Sequence, residues 1–228
     1  INQIRCITLK NNNKGDLHMN RKKTYLITLA ICLISFILLS IMVKKNFTYF
    51  IDHFGQILFQ QTPHHTQHLF KRFDKIFSPE TDLFYSFVIS SCLLALSKAE
   101  NQLNLGIYSV ITISGTTLLA FIVNMIVKPL FGRIRPDGSK GFSYPSDHAM
   151  LAFALLISTA YILTLYINRT TPKLLIIISS VILTLFIGFS RVYLEKHFIT
   201  DIIGGYLLSA TILFSILYFA NIYREKIN

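Results

Sequence analysis

Two short segments hold most of the residues with which this chain could do chemistry. Residues 128–148 and 191–201 each lie between long apolar stretches and are rich in Lys, Arg, His and Asp. The candidates are Lys128, Arg135, Ser146, Asp147 and His148 in the first segment, and Arg191, His197 and Asp201 in the second. Cations beside histidines can bind a phosphate and stabilise the charge that develops when a bond to it breaks. The two segments together therefore indicate phosphoryl chemistry.

His197 and Asp201 form the first candidate pair. They are four residues apart at the start of an apolar stretch, so a helix beginning there places both on one face. A carboxylate in that position can accept a hydrogen bond from one imidazole nitrogen and direct the other nitrogen at phosphorus. His148 then remains available to protonate the leaving alkoxide.

Ser146 directly precedes another apolar stretch, where the N-cap residue of a helix belongs. Free backbone N–H groups and the positive end of the helix dipole would then favour an anion at this point. Asp147 falls in the first turn of the same helix, next to the predicted phosphate.

Each of these residues also has a structural interpretation. Lys and Arg at helix ends are common anchors at a membrane interface. Asp147 could simply compensate the helix dipole, and His197 with Asp201 could be a structural pair. The structural interpretation does not account for the convergence of all these groups.

Six uncharged stretches determine which elements must position the two segments. Five of them reach or approach the length needed to cross a bilayer, and the 15-residue stretch 83–97 is shorter. The stretches are Thr24–Val43, Leu83–Ser97, Leu105–Val127, Ala149–Asn168, Leu174–Ser190 and Ile202–Ile222. Backbone groups in lipid must bond internally, so the predicted fold is all-α, an integral membrane bundle of six transmembrane helices. Two crossings separate the polar segments, which places both at the same end.

The region between the first and second stretches has a different pattern. Phe47, Phe50, Ile51, Phe54 and Leu58 recur at helical spacing, as do Leu69, Phe73, Ile76 and Phe77. This pattern predicts amphipathic helices in the membrane interface, with a polar face turned outward. The residues predicted on that face are Asp52, His53, Lys71, Arg72 and Lys75.

Composition limits the class of protein. The chain has 228 residues, 52% of them hydrophobic and 14% charged, with a formal net charge of +11. Such a composition excludes a disordered linker and disfavours a soluble globule. The long uncharged runs argue against a nucleic acid as partner and favour the lipid bilayer. Together with the two basic segments they indicate a membrane lipid phosphate as the ligand. No cofactor and no metal is expected, because His64, His65 and His68 lack neighbouring carboxylates or cysteines.

The chain divides into two parts at its first methionine. Met19 precedes Arg21, Lys22 and Lys23 and then the first apolar stretch, as at the start of many membrane proteins. We therefore expect residues 1–18 to be a disordered extension and residues 19–228 to form the six-helix domain.

Three motifs carry a resemblance to a known family. Lys128 is followed after six residues by Arg135-Pro136, then come Tyr144-Pro145-Ser146-Asp147-His148, and then Ser190-Arg191 with His197 and Asp201. In this order the motifs resemble the signature of the type-2 phosphatidic acid phosphatase superfamily. The resemblance implies a metal-independent phosphatase that works through a phosphohistidine. By this resemblance His197 is the nucleophile, Asp201 its orienter and His148 the general acid, while Lys128, Arg135, Ser146 and Arg191 hold the phosphate oxygens.

Asp147 is a departure, because the family most often has Gly between the Ser and the His. The Pro-Ser-Asp-His form resembles a bacterial subgroup that acts on undecaprenyl diphosphate. The other motifs resemble phosphatidylglycerophosphate and lipid A phosphatases equally well, and phosphatidic acid is a further candidate substrate. The resemblance to membrane-bound members of the family implies that the protein spans a bacterial inner membrane and that its site faces the periplasm or the exterior. A transporter that binds phosphate without hydrolysis is the alternative from another class, and the sequence does not give the oligomeric state.

Overall fold

Eight helices make up the part of the chain that the computed structural model describes, residues 2–59 and 64–227, with side chains for residues 21–58, 67–68 and 70–221. They are α1 (Asn2–Lys44), α2 (Tyr49–Phe59), α3 (His64–Ile76), α4 (Pro79–Ala99), α5 (Leu103–Phe131), α6 (Asp147–Tyr166), α7 (Thr170–Tyr193) and α8 (Ile199–Ile227). These residues contain no strand, and the one isolated bridge joins Ile134 and Phe142. The all-α prediction is confirmed.

Six of the helices are long and apolar enough to cross a membrane. They are α4 to α7, residues Arg21–Lys44 of α1 and residues Ile199–Asn221 of α8. All six predicted spans are therefore confirmed. The short second stretch is extended to Pro79–Ala99, because Ser78 caps α4 and Asp82 is completely buried within the helix. The extension predicted for residues 1–18 stays a prediction.

Helices α6 and α8 form the centre of the bundle. Half of the membrane-spanning part of each is buried, more than in any other span of the described residues. Helix α1 packs on α8, α7 packs on α6, and α4 and α5 form an antiparallel pair beside them. The connections place the end of α5, the start of α6, the end of α7 and the start of α8 at one end of the bundle, hereafter the site end.

Helices α2 and α3 are the predicted amphipathic helices, and both lie at the site end. Phe47, Phe50 and Phe54 are exposed, as expected for a face in lipid. His53, Lys71, Arg72 and Lys75 are also exposed, as predicted. The prediction that Asp52 faces outward is wrong, because its side chain is only 3% exposed and packs against the start of α8. Hydropathy could not reveal this contact, since its partner is 148 residues away.

Candidate active site

All eight residues predicted for the site lie at the site end of the bundle. Lys128 is in the last turn of α5, Ser146 and the two residues after it begin α6, and Arg191 is in the last turn of α7. His197 lies two residues before α8, and Asp201 lies in the first turn of that helix. Helix ends therefore position most of these side chains, while Arg135 is held on the loop between α5 and α6.

That loop, residues 132–146, is closed on itself. Gly132 ends α5 with a φ of +61°, a left-handed conformation that suits glycine. The amide of Ser143 donates to the carbonyl of Arg133 at 2.7 Å next to the Ile134–Phe142 bridge. Asp137 joins this loop to the loop before α8 through an ion pair with Lys196 at 2.5 Å. Burial alone would raise the pKa of Asp137, but hydrogen bonds from Lys196 and Ser139 hold it below its ordinary value.

His197 is almost completely buried, and its two ring nitrogens have different surroundings. Nδ1 lies 2.8 Å from the backbone carbonyl of Ser143. A carbonyl can only accept, so Nδ1 carries the proton and a neutral His197 has its lone pair on Nε2. Nε2 has no hydrogen-bond partner in the described part of the chain, and the nearest carboxylate oxygen, Oδ1 of Asp147, is 3.5 Å away.

Asp201 was expected to accept the hydrogen bond from His197. Its nearest oxygen is 3.7 Å from Nδ1, and Ser143 provides the acceptor instead. One oxygen of Asp201 accepts from the amide of Phe198 at 2.8 Å, which caps the start of α8. The other oxygen pairs with Nη1 of Arg133 at 2.6 Å. Asp201 thus fixes the start of α8, next to the loop residue His197.

Arg133 and Asp52 complete this buried network, and sequence reasoning assigned neither of them to the site. Nη2 of Arg133 lies 2.5 Å from Asp52, and its guanidinium lies 4.0 Å from the centre of the Phe198 ring. Asp52 also accepts from the amide of Thr200, so a carboxylate from α2 caps α8. The one sequence feature that could have indicated a role for Arg133 in the site is its position two residues before Arg135.

Asp147 lies between the two histidines and a lysine. Its Oδ1 is 3.1 Å from Nδ1 of His148 and accepts the backbone N–H of His148 at 3.0 Å. Its Oδ2 is 2.7 Å from Nζ of Lys128. Asp147 is predicted among the residues around the phosphate. In the structure its carboxylate pairs with Lys128 and His148, two of the other residues predicted there.

Asp74 reaches the site from α3, and no motif contains it. Its Oδ1 accepts from Nη1 of Arg191 and lies 3.1 Å from Nε2 of His148. The ring of Phe70, one turn earlier on α3, packs against Tyr193 at the end of α7 in a tilted arrangement and joins the two helices there. A carboxylate oxygen between a histidine and an arginine occupies the kind of position that a phosphate oxygen would take.

Ser146 caps α6 as predicted, and its Oγ accepts from the amide of Ala149 at 3.4 Å. The prediction of free N–H groups in this turn is wrong for two amides, because Ser146 and Asp147 accept from them. The Ser146 side chain is completely buried. Its carbonyl lies against Gly205, where an added Cβ would approach the oxygen to 2.8 Å.

A cavity of about 410 Å³ opens beside these groups, between the start of α4 and the end of α5. Its charged lining residues are Glu80, Lys128, Arg135 and Asp147. Phe121, Met125 and Leu151 are among its apolar lining residues. The cavity therefore offers charged groups and an apolar wall to the same ligand, which suits an amphiphile with an anionic head.

Three predicted site residues have a buried nitrogen without a hydrogen-bond partner in the described part of the chain. These atoms are Nε of Arg135, Nε of Arg191 and Nε2 of His197. Buried polar atoms are nearly always paired, so such atoms need an explanation, and an anionic ligand provides one. Among the described residues no group of three or more His, Cys, Asp or Glu is arranged to hold a metal. The side chains of His64 and His65 lie outside those residues.

Known proteins share this sequence pattern and this fold. Residues 109–224 match the model of the PAP2 superfamily. Phosphatidylglycerophosphatase B of Bacillus subtilis (strain 168) is 36% identical over 100 residues, which are 41% of this chain and 49% of the relative, so the match spans about half of that protein. The crystal structure described as the first transmembrane PAP2 type phosphatidylglycerolphosphate phosphatase, from Bacillus subtilis, superposes with a TM-score of 0.72 at 22% identity. The alignment covers 88% of this chain and 98% of that one, which shows a shared fold. Since the family's model matches more than half of the chain and includes all eight site residues, the chain belongs to the PAP2 superfamily.

Proposed function

We propose that this membrane protein is a lipid phosphatase that hydrolyses a phosphate monoester or diphosphate through a phosphohistidine. The observation that carries the proposal is the unpaired Nε2 of the buried His197, in a site that also holds His148 and buried arginine nitrogens without partners. A nucleophile, a proton donor and anion-binding groups are the parts that such a reaction requires.

His197 is the nucleophile in this proposal. Because the carbonyl of Ser143 fixes the proton on Nδ1, the lone pair of Nε2 is available to attack phosphorus. Asp201 supports this arrangement by holding the start of α8, and its nearby charge stabilises the imidazolium that forms. The bond from phosphorus to the leaving oxygen breaks as the bond to Nε2 forms.

The phosphate oxygens are bound by the cations of the two segments. Lys128, Arg135 and Arg191 supply the positive charge, and the unpaired Nε atoms of the two arginines supply donors. Ser146 contributes by capping α6, and Asp147 contributes through its ion pair with Lys128. The reaction as proposed uses protein side chains and no metal.

His148 transfers the proton in both steps. Its imidazolium donates to the leaving oxygen when the phosphohistidine forms. The neutral ring of His148 then takes a proton from the water that attacks the phosphorus of the phosphohistidine. Inorganic phosphate leaves, and His197 returns to its starting state. Nε2 of His148 and Nη1 of Arg191 both contact Oδ1 of Asp74, and this shared partner supports the role of His148 beside the proposed anion site.

The cavity favours a lipid as substrate, because charged and apolar walls meet in it. The similarity to phosphatidylglycerophosphatase B makes phosphatidylglycerophosphate the first candidate. Undecaprenyl diphosphate is the second, on the resemblance of the Pro-Ser-Asp-His motif, followed by phosphatidic acid and lipid A. We further propose that the protein lies in a bacterial cytoplasmic membrane with its site end outside, since Lys and Arg other than those of the two site segments are more numerous on the inner side.

Phosphate release from a panel of these four lipids by the purified protein in detergent tests the proposal. Release from at least one lipid supports it. Binding of the lipids without release would contradict it and favour the phosphate-binding transporter. Arg135→Gln should raise KM at least about tenfold, since it removes a charged donor to the phosphate. Arg169→Gln is the matched control, because Arg169 is exposed at the opposite end of the bundle.

A further inference from the structure

We propose that Asp147 is a positioning residue for the general acid, an inference that rests on the proposed function. The observation is the contact of its Oδ1 with both Nδ1 and the backbone N–H of His148, at 3.1 and 3.0 Å. An ionised carboxylate can only accept, so Nδ1 of His148 is the donor in this pair. The transferable proton of His148 is therefore on Nε2.

The orientation of the His148 ring supports this assignment. Nε2 lies on the side of the ring that faces Asp74 and, through it, Arg191. The Asp147 contact thus turns the proton-donating nitrogen toward the proposed anion site. A histidine without this partner could rotate or change its tautomer, and the proton would then point away from the leaving oxygen.

Asp147 also pairs with Lys128, and a role limited to this ion pair would predict a different kinetic effect of losing Asp147. If Asp147 served only to hold Lys128, its loss would weaken phosphate binding equally for every substrate. If it positions His148, its loss slows formation of the phosphohistidine only where the leaving oxygen needs a proton, whereas the later attack of water is the same for every substrate. An alkyl alkoxide needs one, whereas the 4-nitrophenolate anion leaves without protonation at neutral pH.

The test compares kcat/KM, which reports formation of the phosphohistidine, on 4-nitrophenyl phosphate and on dioctanoyl phosphatidic acid or dioctanoyl phosphatidylglycerophosphate, whichever the wild type hydrolyses faster. Asp147→Ala should lower kcat/KM on the lipid on the order of 10²-fold and change kcat/KM on the aryl ester far less. His148→Ala should give the same selective pattern, and Lys128→Gln should raise KM on both substrates. Asp147→Asn, which keeps the shape and an acceptor oxygen, should recover part of the lipid activity and covers the case in which the Ala variant does not fold.

An equal loss of kcat/KM on both substrates, including one that comes only from a rise in KM, would overturn the positioning role. A wild-type protein that releases phosphate from none of the four lipids, or a His148→Ala variant with unchanged kinetics, would overturn the proposed function itself.

Discussion

The buried network around Arg133 gives a prediction whose size follows from the structure. Arg133→Gln removes the guanidinium that pairs with Asp52 at 2.5 Å and with Asp201 at 2.6 Å. These carboxylates are 3% and 0% exposed, so both charges remain buried after the change. Removing one partner of a buried ion pair typically costs about 3–5 kcal/mol. For a chain of this size we expect the Tm to fall on the order of 10 °C.

The assay is thermal unfolding in detergent, followed by helical circular dichroism. Arg169→Gln is the control, because it removes an arginine that is exposed. Adding Asp52→Asn to Arg133→Gln should recover part of the loss, since it neutralises one of the two buried charges. A Tm for Arg133→Gln as close to wild type as that of the control would refute the reasoning.

Three further predictions concern the site end. Gly205→Ala should lower both Tm and activity, because the new Cβ would lie 2.8 Å from the Ser146 carbonyl; unfolding and phosphate-release measurements on this variant check it. Asp74→Asn should lower KM and strengthen inhibition by inorganic phosphate, since Asp74 competes for Arg191 and His148; unchanged inhibition would contradict this. EDTA should leave phosphate release largely intact, and strong inhibition that added metal reverses would indicate a different mechanism.

The membrane spans could be predicted because hydropathy is a local property. Each span is a run of apolar residues long enough for a bilayer, and the number of spans places both polar segments at one end. The cap at Ser146 was predictable for the same reason, since a Ser before an apolar helix is a local signal. The second span was placed too short because Asp82 is charged in sequence but buried in the fold.

The contacts that orient the site depend on residues far apart in the chain, and no local pattern encodes them. Nδ1 of His197 donates to a backbone carbonyl 54 residues earlier, which side-chain types cannot reveal. Asp74 enters the site from an interfacial helix whose pattern indicates only amphipathicity. Asp52 was assigned to a solvated face although its partner lies on α8. Motif spacing therefore predicted the chemistry, and tertiary packing determined which acceptor holds each group.

The central claim is that Nε2 of His197 attacks phosphorus. Phosphate release by His197→Ala, measured on the lipid that the wild-type protein hydrolyses best, tests it most directly. The variant should elute from size exclusion in detergent like the wild type and release no phosphate above background. Near-normal release by the folded variant would contradict the assignment of His197 as the nucleophile.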